Sequence, residues 1–342
     1  MDEKLHFADL SDHLLDWYAR SARDLPWRVG PSERARGARP DPYRVWLAEI
    51  MLQQTTVPHA TRYYLAFIAR WPVIADLANA SDDEVMAAWA GLGYYARARN
   101  LLKCAREISA LGVWPDTVEA LRKLPGIGPY TAGAVAALAF DRRAAAIDGN
   151  VDRVFARLMA LKGEWKTEKA RLSRVVESLV PSGRPAEFAE ALMDLGATVC
   201  TPKTPNCAIC PLRDMCVAQS EGDPVRYPIK PKKQAKPTRV GHVFIALGPE
   251  RSLLTERRPE RGLLGGMLGL PTSPWTGEWG APEFPLEGSW DEVGEIQHVF
   301  THFALTLKVW RSNVGVISNG MPLDQAADGL PSLFAKALRL AI

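Results

Sequence analysis

The 342-residue sequence predicts a multidomain protein, with an all-α region followed by an α/β or α+β domain. Apolar residues recur every three to four positions in segment after segment of residues 1–218, as in amphipathic helices. Residues 219–239 carry four prolines and many basic side chains without a helical period, which predicts an extended linker. Residues 240–342 contain alternating apolar segments and one amphipathic helix, so strands and helices are mixed there.

The composition is that of a globular protein, with 47% hydrophobic and 24% charged residues. A net charge of +3 permits a nucleic-acid partner without requiring one. No apolar run is long enough to cross a bilayer, and the first residues are acidic and amphipathic, unlike a signal peptide. We therefore expect a cytoplasmic, nucleoid-associated protein that does not bind membranes.

One segment inside the helical region has no apolar period. Residues 29–42, VGPSERARGARPDP, are rich in arginine, proline and glycine. This composition predicts a mobile surface loop.

Four of the five cysteines fall within residues 200–216, spaced Cys200-x6-Cys207-x2-Cys210-x5-Cys216. In a chain without secretory features, such crowding indicates metal ligation and not a disulfide framework. Structural zinc sites usually contain two short cysteine pairs, and only one pair here is close. A compact loop of four thiolates favours an iron–sulfur cluster, in which each cysteine binds a separate iron. Zinc coordination and buried thiols remain alternatives.

A glycine-containing bend joins two predicted helices in LRKLPGIGPYTAGAVAALAF. Gly126 and Gly128 permit backbone angles closed to other residues, and they leave backbone N–H groups exposed at a helix N-terminus. Such N–H groups bind phosphate without reading base sequence.

Two carboxylates stand out by their surroundings. Glu49, in WLAEIMLQQTT, lies within an apolar run, where loss of hydration raises the pKa of a carboxyl group and suits it to general-acid catalysis. Asp148, in AAAIDGNVDRVFARL, follows an apolar segment at the entrance of a helix. The structural alternatives are a salt-bridged helix carboxylate for Glu49 and a turn or helix cap for Asp148.

Several of these segments together resemble the MutY-type adenine DNA glycosylases, a branch of the helix-hairpin-helix superfamily related to endonuclease III. The segments are WLAEIMLQQTTV, GLGYYARARNL, LPGIGPYTA, IDGNVDRVFARL, ALMDLGATVC and the cysteine loop. The resemblance covers nearly all of residues 10–218. Residues 240–342 resemble, more weakly, the MutT/Nudix-like domain with which this family recognises 8-oxoguanine.

The resemblance implies a six-helix barrel with a helix-hairpin-helix, and a [4Fe-4S] cluster held by Cys200, Cys207, Cys210 and Cys216. It also implies a monomer that binds double-stranded DNA and removes adenine mispaired with 8-oxoguanine or guanine. The target nucleotide leaves the base stack before its glycosidic bond is cleaved. Gly126 and Gly128 would bind the DNA backbone.

The resemblance also assigns catalytic roles. Glu49 would protonate the adenine, and Asp148 would stabilise the oxocarbenium sugar by transient capture at C1′. Asn150 would position a carboxylate or the base. Tyr130 stands where the lyase branch has a lysine, and a phenol cannot form a Schiff base, so hydrolysis without strand cleavage is expected.

The remaining expected contacts are with the adenine and the lesion. The resemblance assigns them to Arg23, Leu25, Trp27, Arg28, Gln54, Thr55, Leu92, Tyr94, Glu190, Phe300, Thr301 and His302. Among them, Tyr94 would be the aromatic wedge beside 8-oxoguanine. Family members commonly have Phe-Ser-His at residues 300–302, and Thr301 keeps the hydroxyl while adding a β-branch. The C-terminal domain lacks the Arg-Glu…Glu-Glu signature for magnesium, so it should recognise a nucleotide without hydrolysing it.

Two rival functions remain open on the sequence. One is an endonuclease III-like bifunctional glycosylase/lyase, which Tyr130 and the C-terminal domain disfavour. The other is a non-catalytic iron–sulfur DNA-binding protein, which the presence of both Glu49 and Asp148 disfavours.

Overall fold

The computed structural model describes residue 7 and residues 9–229, 235–259, 262–300, 302–318 and 320–342. The chain divides into two compact units, Met1–Pro231 and Lys232–Ile342, each with hydrophobic cores of its own. The first unit is helical and the second combines a mixed sheet with helices. The predicted fold class is confirmed.

The helical unit contains helices of 4 to 17 residues. They are α1 Leu10–Ser21, α2 Pro31–Ala35, α3 Pro42–Leu52, α4 Val57–Arg70, α5 Ile74–Asn79, α6 Asp82–Ala88, α7 Tyr95–Leu111, α8 Val118–Leu121, α9 Pro129–Phe140, α10 Gly149–Leu158, α11 Trp165–Leu179 and α12 Pro185–Asp194. A π-helical turn, Leu195–Val199, continues α12 into the cysteine segment. That segment contains the 3₁₀ turns Cys207–Ile209 and Pro224–Arg226 and the helix α13 Val217–Ser220.

Two hydrophobic cores make up this unit. The first is built mainly from α3 to α9, around residues such as Trp46 and Trp89, which are fully buried. The second packs α1 against α10, α11 and α12, around Phe155 and Phe188. Because the chain crosses from one core to the other, polar side chains from both can meet at the boundary between them.

Local signals in the sequence explain where the important helices begin. Asp41 caps α3 by accepting a hydrogen bond from the Tyr43 backbone N–H at 2.8 Å, and Pro42 occupies the first helical position. The predicted bend between α8 and α9 is present, with Gly126 at a φ of +75°. Its left-handed backbone is the conformation that favours glycine.

The prediction of a mobile surface loop over residues 29–42 is wrong, because part of this segment is helical and packed. Gly30 precedes α2, and its N–H donates to the Glu33 carboxylate at 3.1 Å. Arg34 is only 8% exposed, and its guanidinium donates to the backbone carbonyls of Val29 and Leu138. Burial of a guanidinium is stable only where its N–H groups find acceptors, and this segment provides them.

The helical unit also extends further than the predicted boundary at residue 218. Tyr227 is buried in the second core, where its hydroxyl donates to Glu221 at 2.7 Å and its carbonyl accepts from Arg157 at 3.2 Å. The first part of the predicted 219–239 linker is therefore packed. Residues 230–234 of that segment lie outside the described residues.

The second unit contains a mixed sheet. Its elements are β1 Thr238–Gly248, β2 Ser252–Leu254, β3 Glu256–Arg257, β4 Leu268–Gly269, β5 Asp291–Val299, β6 Ala304–Asn313, β7 Gly320–Pro322, α14 Leu323–Gly329 and α15 Ser332–Ala341. Within the described ranges, five strands form one sheet in the order β5-β6-β1-β2-β7, with β1 and β6 parallel and the other pairs antiparallel. The apolar face of α15, including Phe334, packs on the core of this unit. In the part of the chain that the structure describes, no helix is both long and apolar enough to span a membrane.

Candidate active site

Glu49 and Asp148 line the same cavity, of about 470 Å³, at the boundary between the two cores of the helical unit. Glu49 comes from the middle of α3, and Asp148 stands directly before α10. Other residues predicted from the sequence also line it: Arg23, Leu25, Trp27, Arg28, Gln54, Thr55, Tyr130, Asn150 and Glu190. Segments far apart in the sequence therefore converge on one concave site.

Glu49 is a buried carboxyl group with one hydrogen-bond partner. The Tyr130 hydroxyl donates to Glu49 Oε2 at 2.8 Å. Burial raises the pKa of Glu49 to about 7, the Tyr130 hydrogen bond opposes this, and the negative charge of Asp148 adds to it. A carboxyl group with such a pKa carries a proton in a substantial fraction of molecules at neutral pH, as a general acid requires.

Tyr130 is itself enclosed by the site. Burial, followed by the charges of Glu49 and Asp148, raises the pKa of its phenol well above the usual value. The neutral phenol therefore acts as a hydrogen-bond donor, and it holds the Glu49 carboxyl at the cavity wall.

Asp148 is fixed by three hydrogen bonds within its own turn. Its Oδ1 accepts from the backbone N–H groups of Asn150 and Val151, each at 2.8 Å, and its Oδ2 accepts from Asn150 Nδ2 at 2.8 Å. Asp148 is thus the N-cap of α10, as the structural alternative predicted, and it faces the cavity as well.

Arg153 connects this turn to the cysteine segment. Its Nη2 donates to Asn150 Oδ1 at 2.8 Å and to the Gly196 carbonyl at 2.6 Å, and its Nε donates to the Cys200 carbonyl at 2.8 Å. Asn150 therefore holds Asp148 from one side and is held from the other, which leaves the carboxylate little rotational freedom.

Buried ion pairs form another wall of the cavity. Arg23 and Arg28 both donate to Asp194, whose side chain is fully buried, at distances of 2.6–2.9 Å. The Tyr18 hydroxyl donates to Glu190 Oε2 at 2.6 Å. Neither Tyr18 nor Asp194 was predicted as a site residue, although Asp194 follows Glu190 by one helical turn and so shares its helix face.

Two predicted lesion contacts have strained backbones. Gln54 has a φ of +57° and Tyr94 a φ of +52°, in the left-handed region that non-glycine residues rarely adopt. Tyr94 is 55% exposed and lines a neighbouring cavity together with Gln54 and Gly126. Leu92, by contrast, is buried and does not line either cavity.

Arg97 holds these two segments together. Its guanidinium donates to the carbonyls of Gln53 and Leu92, and it lies over the rings of Trp89 and Tyr94. The sequence analysis quoted this residue within GLGYYARARNL but assigned it no role. An arginine one helical turn after an exposed tyrosine was the available signal.

Comparison with known proteins identifies the family. Residues 47–180 match the model of the HhH-GPD superfamily of base excision DNA repair proteins, residues 200–216 the iron–sulfur binding domain of endonuclease III, and residues 242–340 the NUDIX domain. The adenine DNA glycosylase of Mus musculus is 34% identical over 94% of this chain and 73% of the mouse protein. That of Rattus norvegicus is 35% identical over 89% of this chain and 71% of the rat protein. The chain belongs to the adenine DNA glycosylase family.

Solved structures agree on the fold of the helical unit of this adenine DNA glycosylase family member. A thermostable thymine-DNA glycosylase superposes with a TM-score of 0.56 at 29% identity, covering 65% of this chain and all of that one. An endonuclease III–DNA complex superposes with a TM-score of 0.53 at 21% identity, over 65% of this chain and 99% of that one.

The cysteine segment of the glycosylase holds an iron–sulfur cluster by its family match. The four cysteines line one cavity, and the buried Arg157 donates to Cys200 Sγ at 3.2 Å and to the carbonyls of Thr201 and Pro202. Among the described residues, no three potential ligand side chains surround a single point, as one metal ion would need. A multi-iron cluster does not need this, since each cysteine binds a different iron.

The predicted lesion-reading residues of the C-terminal unit follow β5. Phe300 lies against Trp275, Phe303 and His298, with ring centroids 4.6–5.9 Å apart, and its carbonyl accepts from Lys236 Nζ at 2.7 Å. His302 is exposed. Thr301 lies outside the described residues. The ring of Phe300 thus packs against aromatic side chains of its own unit.

The raised pKa of Glu49 predicts a pH-dependent stability difference for Glu49→Gln. In the wild type, the folded-state pKa of about 7 exceeds the ordinary value of 4.5, so the folded state is favoured by protonation and loses stability as pH rises from 4.5 through 7. The amide is neutral throughout. We expect the free energy of unfolding of Glu49→Gln, relative to that of the wild type, to increase by about 2–3 kcal/mol between pH 5 and pH 8.

The measurement is urea unfolding of the helical unit, followed by far-ultraviolet circular dichroism at several pH values. Glu177→Gln, at an exposed position on α11, is the matched control. An equal pH dependence in both variants would contradict the burial of a protonated Glu49.

Proposed function

We propose that this chain is a monofunctional DNA glycosylase that removes adenine mispaired with 8-oxoguanine or guanine in duplex DNA. The observation that carries the proposal is the shared cavity of Glu49 and Asp148, in which one carboxyl group has a raised pKa and the other is held at a helix N-terminus. The names of the relatives give adenine as the base released. A cavity of about 470 Å³ is within the range of small-molecule sites and suits one extruded nucleoside.

In the proposed reaction, Glu49 donates its proton to N7 of the extruded adenine. The C1′–N9 bond then breaks, its electron pair stays with the base, and a neutral adenine leaves. Protonation is needed because the unprotonated purine anion is a poor leaving group. The Tyr130 hydroxyl orients the carboxyl group for this transfer.

Asp148 acts on the sugar. Loss of the base leaves a positive charge shared between C1′ and O4′, and the Asp148 carboxylate stabilises it, with a bond to C1′ forming transiently. Water then attacks C1′, Glu49 accepts the proton of that water, and the Asp148–C1′ bond breaks. The three hydrogen bonds within the α10 turn keep the carboxylate in place throughout.

Residues near the edge of the cavity are proposed to contact the DNA. Gly126 and Gly128 are exposed at the bend before α9, where backbone N–H groups can bind a phosphate. Gln54, Thr55 and Tyr94 would enter the duplex and fill the space left by the extruded nucleotide. The strained backbones of Gln54 and Tyr94 support this role, since such strain concentrates at functional sites.

The cysteine loop is proposed to hold a [4Fe-4S] cluster through Cys200, Cys207, Cys210 and Cys216. When bound, the cluster joins these four residues into a single rigid loop. Arg157 stabilises the loop from the protein side, because its guanidinium bonds both a sulfur and two carbonyls of the segment.

The direct test is single-turnover cleavage of A:8-oxoguanine and A:G duplexes. Glu49→Gln and Asp148→Asn should each slow adenine release by about 10²- to 10⁴-fold, because each removes a proton donor or a charge that acts only in the transition state. Lesion binding, measured by fluorescence anisotropy, should persist, and Glu177→Gln should cleave normally. Near-normal cleavage by Glu49→Gln would refute its role as the acid.

Monofunctional chemistry has its own test, borohydride trapping on the same duplex. Since Tyr130 cannot form a Schiff base, no covalent complex should accumulate while adenine is released. Tyr130→Lys places an amine at this position and is the informative comparison. Efficient trapping of the wild-type protein would favour the glycosylase/lyase alternative.

Reading of 8-oxoguanine is proposed for Phe300, Thr301 and His302. His302→Ala should lower the preference for A:8-oxoguanine over A:G by about 3- to 10-fold, the range expected for one lost hydrogen bond. Val316→Ala, at an exposed position of the same unit, is the control. An unchanged preference ratio would exclude a contact between His302 and the lesion.

A further inference from the structure

The segment 29–42 places a buried cation, Arg34, next to the wall of the cavity that Glu49 and Asp148 line. Arg34 lies on the short helix α2, and its Nη2 is 3.5 Å from Glu190 Oε1. The same guanidinium is fixed by the carbonyls of Val29, at 3.1 Å, and Leu138, at 3.3 Å, and its Nη1 lies 3.8 Å from Asp141. Leu138 and Glu190 both line the cavity, whereas Arg34 does not. Arg34 therefore contacts two residues of the cavity wall, Leu138 and Glu190, on the side that faces away from the cavity.

Among the described residues, Arg28 is the other cation that acts on Glu190. The Oε2 atom of Glu190 accepts from Tyr18 at 2.6 Å, and its Oε1 is 3.8 Å from Arg28 Nε. Arg28 Nη1, however, donates to both oxygens of Asp194, at 2.9 and 2.8 Å. The other acidic groups facing Glu190 are Asp194 on its own helix and Glu49 across the cavity. Arg34 is thus the cation nearest to Glu190 Oε1 among the described residues.

The protonation state of Glu190 decides which purine edge it can bind. An ionised carboxylate only accepts hydrogen bonds, whereas a protonated carboxyl group also donates. The 6-amino group of adenine is a donor, and the 6-oxo group of other purines is an acceptor. An acceptor-only carboxylate at this wall therefore favours adenine and rejects a 6-oxopurine.

We propose that Arg34 is a positioning residue that holds Glu190 as an ionised, acceptor-only group, so that the pocket selects the 6-amino group of the extruded base. This inference rests on the proposed adenine glycosylase function. Burial raises the pKa of Glu190 above its ordinary value, and the charges of Arg28 and then Arg34 offset part of that rise. Loss of Arg34 shifts Glu190 towards the protonated form, and the effect is greatest at low pH.

The test compares Arg34→Met, Arg34→Lys and the control Arg39→Met between pH 5.5 and 8.5. Arg39 lies on the same segment but is exposed and 3.7 Å from Asp141. Single-turnover release is measured for adenine and for unsubstituted purine, which lacks the 6-amino group, each opposite 8-oxoguanine. The adenine-to-purine rate ratio cancels the titration of Glu49, because both bases need the same proton.

In Arg34→Met, the ratio should fall below the wild-type ratio at low pH, by up to about tenfold for each unit by which the pKa of Glu190 rises, and recover towards pH 8.5. Arg34→Lys should restore most of the ratio because it keeps the positive charge. Arg39→Met should follow the wild-type ratio at every pH. If Arg34→Met does not fold, Arg34→Gln replaces it, since the amide still offers a donor to the Val29 carbonyl.

A ratio that equals the wild-type value at every pH would overturn the inference while leaving the proposed function intact. Equal slowing of both bases at every pH, without rescue by lysine, would also overturn it, because that result indicates only structural support. Absence of adenine release by the wild type would refute the proposed function and this inference with it.

Discussion

The site depends above all on the burial of Glu49, whose effect on the pKa outweighs the opposing Tyr130 hydrogen bond and Arg28 charge. A carboxyl group that is 5% exposed loses most of its hydration, and Tyr130 replaces only one of the lost hydrogen bonds. The pKa of Glu49 therefore rises to about 7, which an exposed glutamate would not reach. The dry surroundings come from α3 itself, whose neighbouring residues Trp46, Leu47 and Ile50 are buried in the first core. The apolar core that stabilises α3 thus also raises the pKa of Glu49.

Glu190, in the same cavity, has different neighbours from Glu49. It is as deeply buried as Glu49, but two guanidinium groups and a phenol lie against it. Asp194 below it is likewise matched by Arg23 and Arg28. Burying an ion pair is tolerable only when both charges are satisfied, and these residues meet that condition. One cavity therefore contains Glu49, whose pKa burial raises to about 7, and Glu190, which lies within 4 Å of two guanidinium groups.

The parts predicted from the sequence are those set by local pattern. Glu49 was recognisable from the apolar residues on either side of it, and Asp148 from the helix start that follows it. Arg34 was misassigned because arginine, proline and glycine together are typical of exposed loops, and its acceptors Leu138 and Glu190 are more than 100 positions away. Tyr18 and Asp194 were missed for the same reason, since Tyr18 contacts Glu190 and Asp194 contacts Arg23 and Arg28, all distant in the sequence. The adenine DNA glycosylase family match supplied what periodicity alone left open, namely the identity of the base.

The cysteine segment is also part of this arrangement through its approach to Asn150. A Cβ on Gly196 would lie 2.5 Å from Asn150 Cβ, so only glycine allows the π-helical turn to come this close. Arg153 then bonds Asn150, Gly196 and Cys200 at once. Asn150 in turn donates to Asp148, so a chain of hydrogen bonds runs from the Cys200 carbonyl through Arg153 and Asn150 to the Asp148 carboxylate. The iron–sulfur loop is therefore connected to the Asp148 carboxylate through Arg153 and Asn150, although its cysteines do not line the cavity.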